Sequence, residues 1–246
     1  MKFKVCILFL SIFFAGCATT TYKQSGFTSS FKRNLNSTSH GYNIVKDPTG
    51  SAPTTEVERF EVRAGDCSQD SVWSDCKNFR ERSEIYNVVG NFIGNEEKYT
   101  WYFYVPEDWK DIVPASNLHG QLFQTNKAST GGFGQPLVAL MLSNRGLYVE
   151  NFLKSKRSSI YDIDKIRGKW TKVEFHAKWM QETNGFYKFF INDELLYEYS
   201  GNTVSSYGVD EMRFAYGIYR FDLNRLSSPA PTQVIYYSNV KREKVN

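Results

Sequence analysis

Three short segments carry side chains of the types that bind and deprotonate an acidic, hydroxyl-rich ligand. In the first, the alternation of a strand places Arg80, Arg82 and Glu84 on one face. Two guanidinium groups there can hold a carboxylate or a sulfate through paired hydrogen bonds. The alternative is a solvated charged strand on which Arg82 simply pairs with Glu84 or another neighbour.

The second segment is LHGQLFQ, residues 118–124, in which His119, Gln121 and Phe123 share one face and Gln124 lies on the other. Histidine is the usual proton-transfer group near neutral pH, so His119 is the best candidate of the three histidines for acid or base chemistry. A lone histidine is often structural instead, and both interpretations stay open.

The third segment, RFAYGIYR, places Arg213, Ala215, Gly217 and Tyr219 on one face, so the residues beside Tyr219 are small. These leave room for the backbone of a ligand to approach. In a chain with 16 tyrosines, a single tyrosine is most often a packing residue, and that alternative remains. Arg220 points the opposite way, which favours a role in bracing the sheet.

The elements that must position these segments are predicted to be strands, because apolar and polar residues alternate and no long segment has a helical period. The dipeptide Asn192-Asp193 predicts a two-residue turn that makes its flanking strands antiparallel. His176 falls on the polar face of its strand, so we expect it on the solvent side. The clearest strands are 100–105, 172–179, 186–191, 194–199, 212–220 and 232–240.

Composition favours one all-β domain. The chain has 246 residues, 41% hydrophobic and 16% aromatic, which suits strands better than a helical bundle. Many strands without a helical rhythm between them predict an antiparallel two-sheet β-sandwich of jelly-roll type. The net charge of +4 includes Lys2 and Lys4, so the remainder has no excess typical of nucleic-acid binding. We expect a monomer that does not bind nucleic acid.

The N-terminus is predicted to be an export signal. Residues 1–16 combine two lysines with an apolar run too short to cross a bilayer. The small pair before Cys17 resembles a bacterial lipobox, which predicts lipid attachment at Cys17 and a place in the bacterial cell envelope, on the outer membrane or its periplasmic side. The alternative is an ordinary signal peptide with a chance cysteine. Residues 17–56 have the composition of a flexible tether, and we place the folded domain at 57–246.

The four cysteines divide by position. Cys6 leaves with the signal and Cys17 takes the lipid, so Cys67 and Cys76 remain as a close pair in an oxidising compartment. We predict a disulfide between them. A zinc site is the weaker interpretation, because the segment has neither a paired CxxC nor a neighbouring histidine.

At these places the sequence resembles the bacterial polysaccharide lyases of the heparin-lyase-I-like and glucuronan-lyase-like group, which are β-jelly rolls. The resemblance covers nearly all of 58–241, in matching order and spacing. It implies β-elimination on an anionic polysaccharide that contains uronic acid. The matching stretches are FEVRAGDC…RERSEI, HGQLFQ, RGKWTKVEFHAKW…GFYKFFINDELLYEY, YGIYR and PTQVIYYSNV.

The resemblance also implies roles for individual residues. Arg82 and Gln121 would contact the substrate carboxylate, and Tyr219 would transfer the proton. His119 is a further candidate for proton transfer or binding. The scheme requires no metal; calcium stays possible because some relatives use it. Further candidates for substrate binding or support are Arg80, Gln124 and Arg220.

Two residues depart from the family pattern. Phe123 stands where members often have a histidine, and Ala215 stands where they often have a lysine. His119 lies four residues earlier, roughly 13 Å away along an extended chain. Either Tyr219 alone serves as base and acid, or the protein binds sugar without cutting it.

Other classes of function predict different residues. A glycoside hydrolase needs two carboxylates across the scissile bond, and the E-x-D-x-x-E strand motif of laminarinase-like sandwiches is absent from the sequence. A non-catalytic carbohydrate-binding lipoprotein would instead use aromatic platforms such as Trp101, Trp109 or Trp179. An envelope protein without a ligand would need no groove of Arg, Gln and Tyr.

Overall fold

The computed structural model describes residues 31–36, 38–87, 90–125, 136–205 and 211–245. These residues form fifteen strands and four short 3-10 helices, and none of them lies in an α-helix. The strands are β1 (Phe31–Arg33), β2 (Tyr42–Lys46), β3 (Glu56–Val62), β4 (Glu81–Asn87), β5 (Asn91–Phe92), β6 (Glu96–Tyr104), β7 (Ser116–Gln124), β8 (Pro136–Ser143), β9 (Gly146–Asn151), β10 (Lys156–Asp162), β11 (Trp170–Lys178), β12 (Gly185–Ile191), β13 (Glu194–Gly201), β14 (Glu211–Phe221) and β15 (Gln233–Val245). The 3-10 helices are Cys76–Asn78, Phe152–Lys154, Ile163–Lys165 and Leu223–Arg225.

The strands form two antiparallel sheets, which confirms the predicted sandwich. Sheet A has the order β1-β4-β14-β7-β8-β9-β10, with β5 also paired to β14. Sheet B has the order β13-β12-β11-β6-β15-β3-β2. Aromatic side chains from both sheets fill the space between them, and their rings meet edge-on or tilted, as aromatic pairs prefer. The largest buried rings include Phe60, Tyr99, Trp101, Phe175, Phe214, Tyr216 and Tyr237.

All six strands that alternation predicted are present. Asn192 and Asp193 adopt φ values of +49° and +69°, as the predicted turn between β12 and β13 requires. His176 lies on the outer face of sheet B, where its Nε2 is 2.9 Å from the Glu96 carboxylate. One expectation is wrong: Trp101, Trp109 and Trp179 are core residues and cannot serve as exposed platforms for sugar.

The folded domain begins earlier than the expected boundary at residue 57. Strand β1 pairs with β4, and β2 pairs with β3, so both belong to the sandwich. The prediction of a flexible tether that extends to residue 56 is therefore wrong. The proposed signal peptide and Cys17 lie outside the described residues. Within the described ranges, no helix has the length and apolar character needed to span a membrane.

A β-bulge interrupts the pairing of β7 with β14 at the centre of sheet A. Tyr216 pairs with Gly120 and Tyr219 pairs with Leu118, so two residues of β14 oppose one residue of β7. Gly217 lies in the bulge with φ +131°, and a Cβ there would lie 2.4 Å from the Ser83 carbonyl oxygen. This position therefore requires glycine.

Candidate active site

A cavity of about 380 Å³ opens on the outer face of sheet A. Gln121 and Phe123 line it, whereas the alternate positions of β7, Gly120 and Leu122, face the core. Its walls come from β4, β7, β8 and β14, from the 3-10 helix Phe152–Lys154, and from the segments that carry Asn34, Trp73 and Arg80. The lining residues are Asn34, Trp73, Arg80, Arg82, Leu118, Gln121, Phe123, Pro136, Phe152, Tyr219 and Phe221.

Strand register brings the predicted site residues together. Tyr219 of β14 pairs with Arg82 of β4 on one side and with Leu118 of β7 on the other. Ala215 pairs with Gln121 in the same sheet. Directly paired residues on one face of a sheet are close neighbours, so Arg82, Gln121 and Tyr219 line the same cavity.

Tyr219 lies between two guanidinium groups. Its hydroxyl accepts a hydrogen bond from Nη1 of Arg80. The guanidinium carbon of Arg82 lies 4.0 Å from the centre of the Tyr219 ring. Burial raises the pKa of Tyr219, while the charges of Arg82 and Arg80 oppose that rise. The site therefore holds a phenol whose ionised form is favoured by nearby cations and disfavoured by desolvation.

Arg82 is paired with two carboxylates, as the alternative interpretation of this strand expected. Its Nε and Nη2 each donate to one oxygen of Asp75, both at 2.6 Å. Its Nη1 donates to Glu84 at 3.2 Å. Burial alone would lower the pKa of Arg82, but its hydrogen bonds to Asp75 and the nearby anionic groups raise it. Arg82 thus remains charged, with its charge already balanced by protein carboxylates.

Arg80 differs from Arg82 because it has no ion-pair partner among the described residues. Its guanidinium carbon lies 5.2 Å from the Trp73 ring centre and 5.7 Å from those of Tyr219 and Phe221. Aromatic rings stabilise a cation without neutralising it. Arg80 therefore offers the cavity a positive charge that an anionic ligand can pair with.

Gln121 and Asn34 both bind the buried Glu84. Gln121 Nε2 donates to Glu84 at 2.6 Å, and Asn34 Nδ2 donates to its other oxygen at 2.5 Å. Burial raises the pKa of Glu84, and Arg82, Gln121 and Asn34 oppose the rise. This network fixes the Gln121 amide at the cavity wall.

The structure does not bring His119 to the cavity. Its side chain is only 2% exposed, and neither ring nitrogen has a hydrogen-bond partner within the described part of the chain. Burial lowers the pKa of His119 to about 3, and the Gly217 backbone opposes this shift. His119 is thus a neutral, buried residue beside the bulge. The prediction that it transfers a proton in the cavity does not fit this position.

Two predicted binding residues hold the fold together and do not line the cavity. Gln124 exchanges hydrogen bonds with the backbone of Ser205, at 3.0 and 2.8 Å. Arg220 is fully buried, where its Nε donates to Glu81 at 2.9 Å. The expectation of a bracing role for Arg220 fits this geometry, and a role in substrate contact does not.

Phe123 occupies the cavity wall at the place where the sequence resemblance implied a histidine. It is buried and meets the Tyr86 ring edge-on, with ring centres 6.4 Å apart. Tyr219 is consequently the one phenol or imidazole among the described lining residues. Arginine is too basic to exchange a proton at ordinary pH, so Tyr219 is the candidate proton-transfer group among the described lining residues.

The predicted disulfide between Cys67 and Cys76 is present. It closes a loop that carries Trp73 at the cavity wall and Asp75 beneath it, where Trp73 Nε1 donates to Asp75 at 2.9 Å. The sequence did not single out Asp75 or Trp73, although their position between two paired cysteines was a usable signal. Among the described residues, no group of three or more His, Cys, Asp and Glu side chains is placed to hold a metal ion.

Comparisons with known proteins agree with this fold. A family model described as polysaccharide lyase matches residues 19–241. The endo-beta-1,4-glucuronan lyase of the fungus Trichoderma reesei is 17% identical, with a TM-score of 0.60 over 88% of this chain and 95% of that one. The alginate lyase AlgAT5 of polysaccharide lyase family 7 is 13% identical, with a TM-score of 0.59 over 89% and 95% of the two chains. Alginate lyase A1-II′ is 12% identical, with a TM-score of 0.62 over 89% and 96%. No curated protein matches the chain.

Proposed function

The chain belongs to the polysaccharide lyase family, and on that premise we propose that it cleaves a uronate-bearing polysaccharide by β-elimination. The observation that carries the proposal is the hydrogen bond from Arg80 to the hydroxyl of Tyr219 inside the cavity. This hydrogen bond places a cation that can bind the substrate carboxylate, Arg80, next to a group that can transfer a proton, Tyr219.

Arg80 is the proposed carboxylate-binding residue. The proton on C5 of a uronate is a very weak acid, and its removal spreads negative charge onto the adjacent carboxylate. A donor aimed at that charge stabilises the transition state, most strongly where water is excluded. Arg80 has no carboxylate partner in the described chain, whereas Arg82 is balanced by Asp75 and Glu84. This assigns to Arg80 the role that the sequence resemblance implied for Arg82.

Tyr219 is the proposed base and acid. Its ionised phenol takes the C5 proton, the C4–O bond breaks as the C4=C5 double bond forms, and the leaving oxygen takes the proton back from Tyr219. The ionised phenol is thereby regenerated, and no oxidant or water is consumed. Arg82, over the ring, and Arg80, at the hydroxyl, both stabilise the ionised form.

A single group that performs both transfers limits the stereochemistry of the substrate. The C5 proton and the C4 oxygen must lie on the same face of the sugar ring for Tyr219 to reach both. In β-linked glucuronate and mannuronate they do; in guluronate, iduronate and galacturonate they lie on opposite faces. We therefore assign a glucuronate- or mannuronate-containing polymer as the substrate.

A second candidate function is carbohydrate binding without cleavage. It is favoured by Phe123, which contributes an apolar ring where an imidazole would supply a second proton-transfer group. Under either function we propose that the N-terminus is lipidated at Cys17 and holds the domain at the bacterial cell envelope, where polysaccharide is accessible.

The test is ultraviolet absorbance of the purified protein mixed with mannuronan, glucuronan, guluronan, polygalacturonate or heparin. Elimination creates an unsaturated uronate that absorbs, whereas hydrolysis does not. We expect absorbance to rise with mannuronan or glucuronan. Polymer binding without any rise would instead establish the binding function.

A further inference from the structure

We infer that the loop closed by Cys67 and Cys76 is a positioning device for the cavity, in which Asp75 fixes Arg82 against Tyr219. The inference rests on the proposed elimination and extends it to a residue that never touches substrate. Asp75 does not line the cavity and is 0% exposed. It is therefore a positioning residue that acts through Arg82.

The Asp75 carboxylate binds two residues that line the cavity, Arg82 and Trp73. Its two oxygens accept hydrogen bonds from Nε and Nη2 of Arg82, both at 2.6 Å. One of those oxygens also accepts the Trp73 indole N–H at 2.9 Å. A paired arrangement of this kind fixes the plane of a guanidinium as well as its position.

The backbone of Asp75 ties the loop to the residues that precede β4. Its N–H donates to the Ser68 carbonyl at 2.9 Å, and its carbonyl accepts the Arg80 N–H at 3.0 Å. The Arg82 N–H donates to the Asp66 carbonyl at 3.0 Å. Residues immediately beside both cysteines are thus attached to the segment that carries both cavity arginines.

The disulfide keeps Asp75 in this place. Cys67 and Cys76 are separated by nine positions in sequence, with Cα atoms 5.1 Å apart. A cross-link of this kind limits the conformations open to the loop. If Asp75 moved away, Glu84, at 3.2 Å, would be the one carboxylate still paired with the buried charge of Arg82 among the described residues. The disulfide therefore supports the geometry of Tyr219 through Asp75 and Arg82.

The first test is the variant Asp75→Asn. The measurement is the rate at which the Arg82 Nε–H exchanges with solvent, followed by NMR. The Arg82 signal is identified by its absence from the spectrum of Arg82→Lys. The amide presents one oxygen and one NH₂, so one of the two hydrogen bonds to Arg82 is lost. We expect exchange at least roughly tenfold faster, and kcat roughly 10- to 100-fold lower with little change in KM. Unchanged exchange with lost activity would overturn the inference.

The matched control is Glu81→Gln, which weakens a second buried arginine–carboxylate pair at the neighbouring position of the same two strands. Glu81 pairs with Arg220, away from the cavity, and the glutamine keeps an amide oxygen that can accept the Gly65 N–H as Glu81 does. The variant should therefore lower the melting temperature without changing the exchange of Arg82. If Glu81→Gln accelerates that exchange equally, Asp75 has no specific role and the inference fails.

A variant with Cys67→Ser and Cys76→Ser tests the disulfide and remains informative if Asp75→Asn does not fold. We expect the same faster exchange of the Arg82 Nε–H, with the melting transition still cooperative. Slow, unchanged exchange in this variant would contradict the role of the disulfide. The exchange measurement needs no substrate. Faster exchange in a protein that cleaves no polymer would therefore support the inference while the proposed elimination fails.

Discussion

The guanidinium of Arg82 lies 4.0 Å from the centre of the Tyr219 ring, and strand pairing places the two residues directly opposite each other. The charge of Arg82 is balanced by Asp75 and Glu84, so Arg82 stabilises the ionised phenol at close range without giving the cavity a net positive charge. Arg80 approaches the same phenol from the hydroxyl side without a carboxylate partner in the described chain. In the proposed mechanism the two arginines have different roles: Arg82 packs against the phenol ring, and Arg80 is the residue that would bind the substrate carboxylate.

Replacing Tyr219 with phenylalanine should abolish elimination while the cavity keeps its shape. Loss of a proton-transfer group costs about 10²- to 10⁴-fold in rate, and here one group carries both transfers. We expect kcat to fall by at least about 10³-fold, measured by ultraviolet absorbance, and polymer affinity to stay within about threefold. Residual activity near that of the parent protein would refute the assignment.

Replacing Arg80 with alanine should impair both binding and turnover, because the same guanidinium pairs with the carboxylate in the ground state and in the transition state. Loss of one such donor costs about 10²- to 10³-fold in kcat. Steady-state kinetics should show this fall together with a higher KM. Lys188→Ala removes a cation that pairs with Glu198 on the other sheet, and it should leave both constants unchanged.

The rate of elimination should rise with pH. Tyr219 must be ionised to accept the C5 proton, and burial raises its pKa, so only a small fraction is ionised at neutral pH. Because Arg80 lowers that pKa through its charge and its hydrogen bond, Arg80→Gln should move the midpoint of the pH–rate profile to higher pH. A midpoint that moves to lower pH would contradict Tyr219 as the base.

Substrate choice should follow the geometry of C4 and C5. With Tyr219 as both base and acid, we expect cleavage of mannuronan or glucuronan and no cleavage of guluronan or polygalacturonate. The comparison is made by product absorbance at equal uronate concentration. Efficient cleavage of guluronan would show that a second proton-transfer group reaches the sugar from its other face.

The stability of the domain should depend on pH through Glu58. This carboxyl is buried where it accepts hydrogen bonds from Tyr216 at 2.8 and 2.9 Å, and burial raises its pKa well above the ordinary value despite them. The folded state therefore holds a proton that the unfolded chain releases, so stability is highest below the unfolded pKa and falls as pH rises through the folded pKa. Glu58→Gln should flatten this fall, measured by urea unfolding across the pH range.

Glu61 provides the matched control on the same strand. Hydrogen bonds and charges from Arg63 and Arg59 outweigh its desolvation and lower its pKa. Its contribution is therefore present above the unfolded pKa and is lost in acid. Glu61→Gln should destabilise the domain at neutral pH, and the difference should vanish as the solution is acidified. Parallel pH profiles for the two variants would contradict both assignments.

Local patterns in the sequence determined much of the sandwich. Alternation identified six strands, and Asn192-Asp193 identified the turn between β12 and β13, because strand periodicity and turn conformations depend on neighbouring residues alone. Cysteine spacing identified the disulfide. Alternation also placed Gln121 and Tyr219 on the faces that line the cavity.

Only the tertiary structure decided which of these residues meet and which are buried. Asn34 belongs to a segment without local periodicity, yet it donates to Glu84, fifty positions away. His119 lies opposite the bulge at Gly217 and is buried, although strict alternation had placed it beside Gln121. Asp75 balances Arg82 from a separate loop. Pairing between distant segments depends on sheet order and register, which no local pattern records, and burial and charge compensation follow from that pairing.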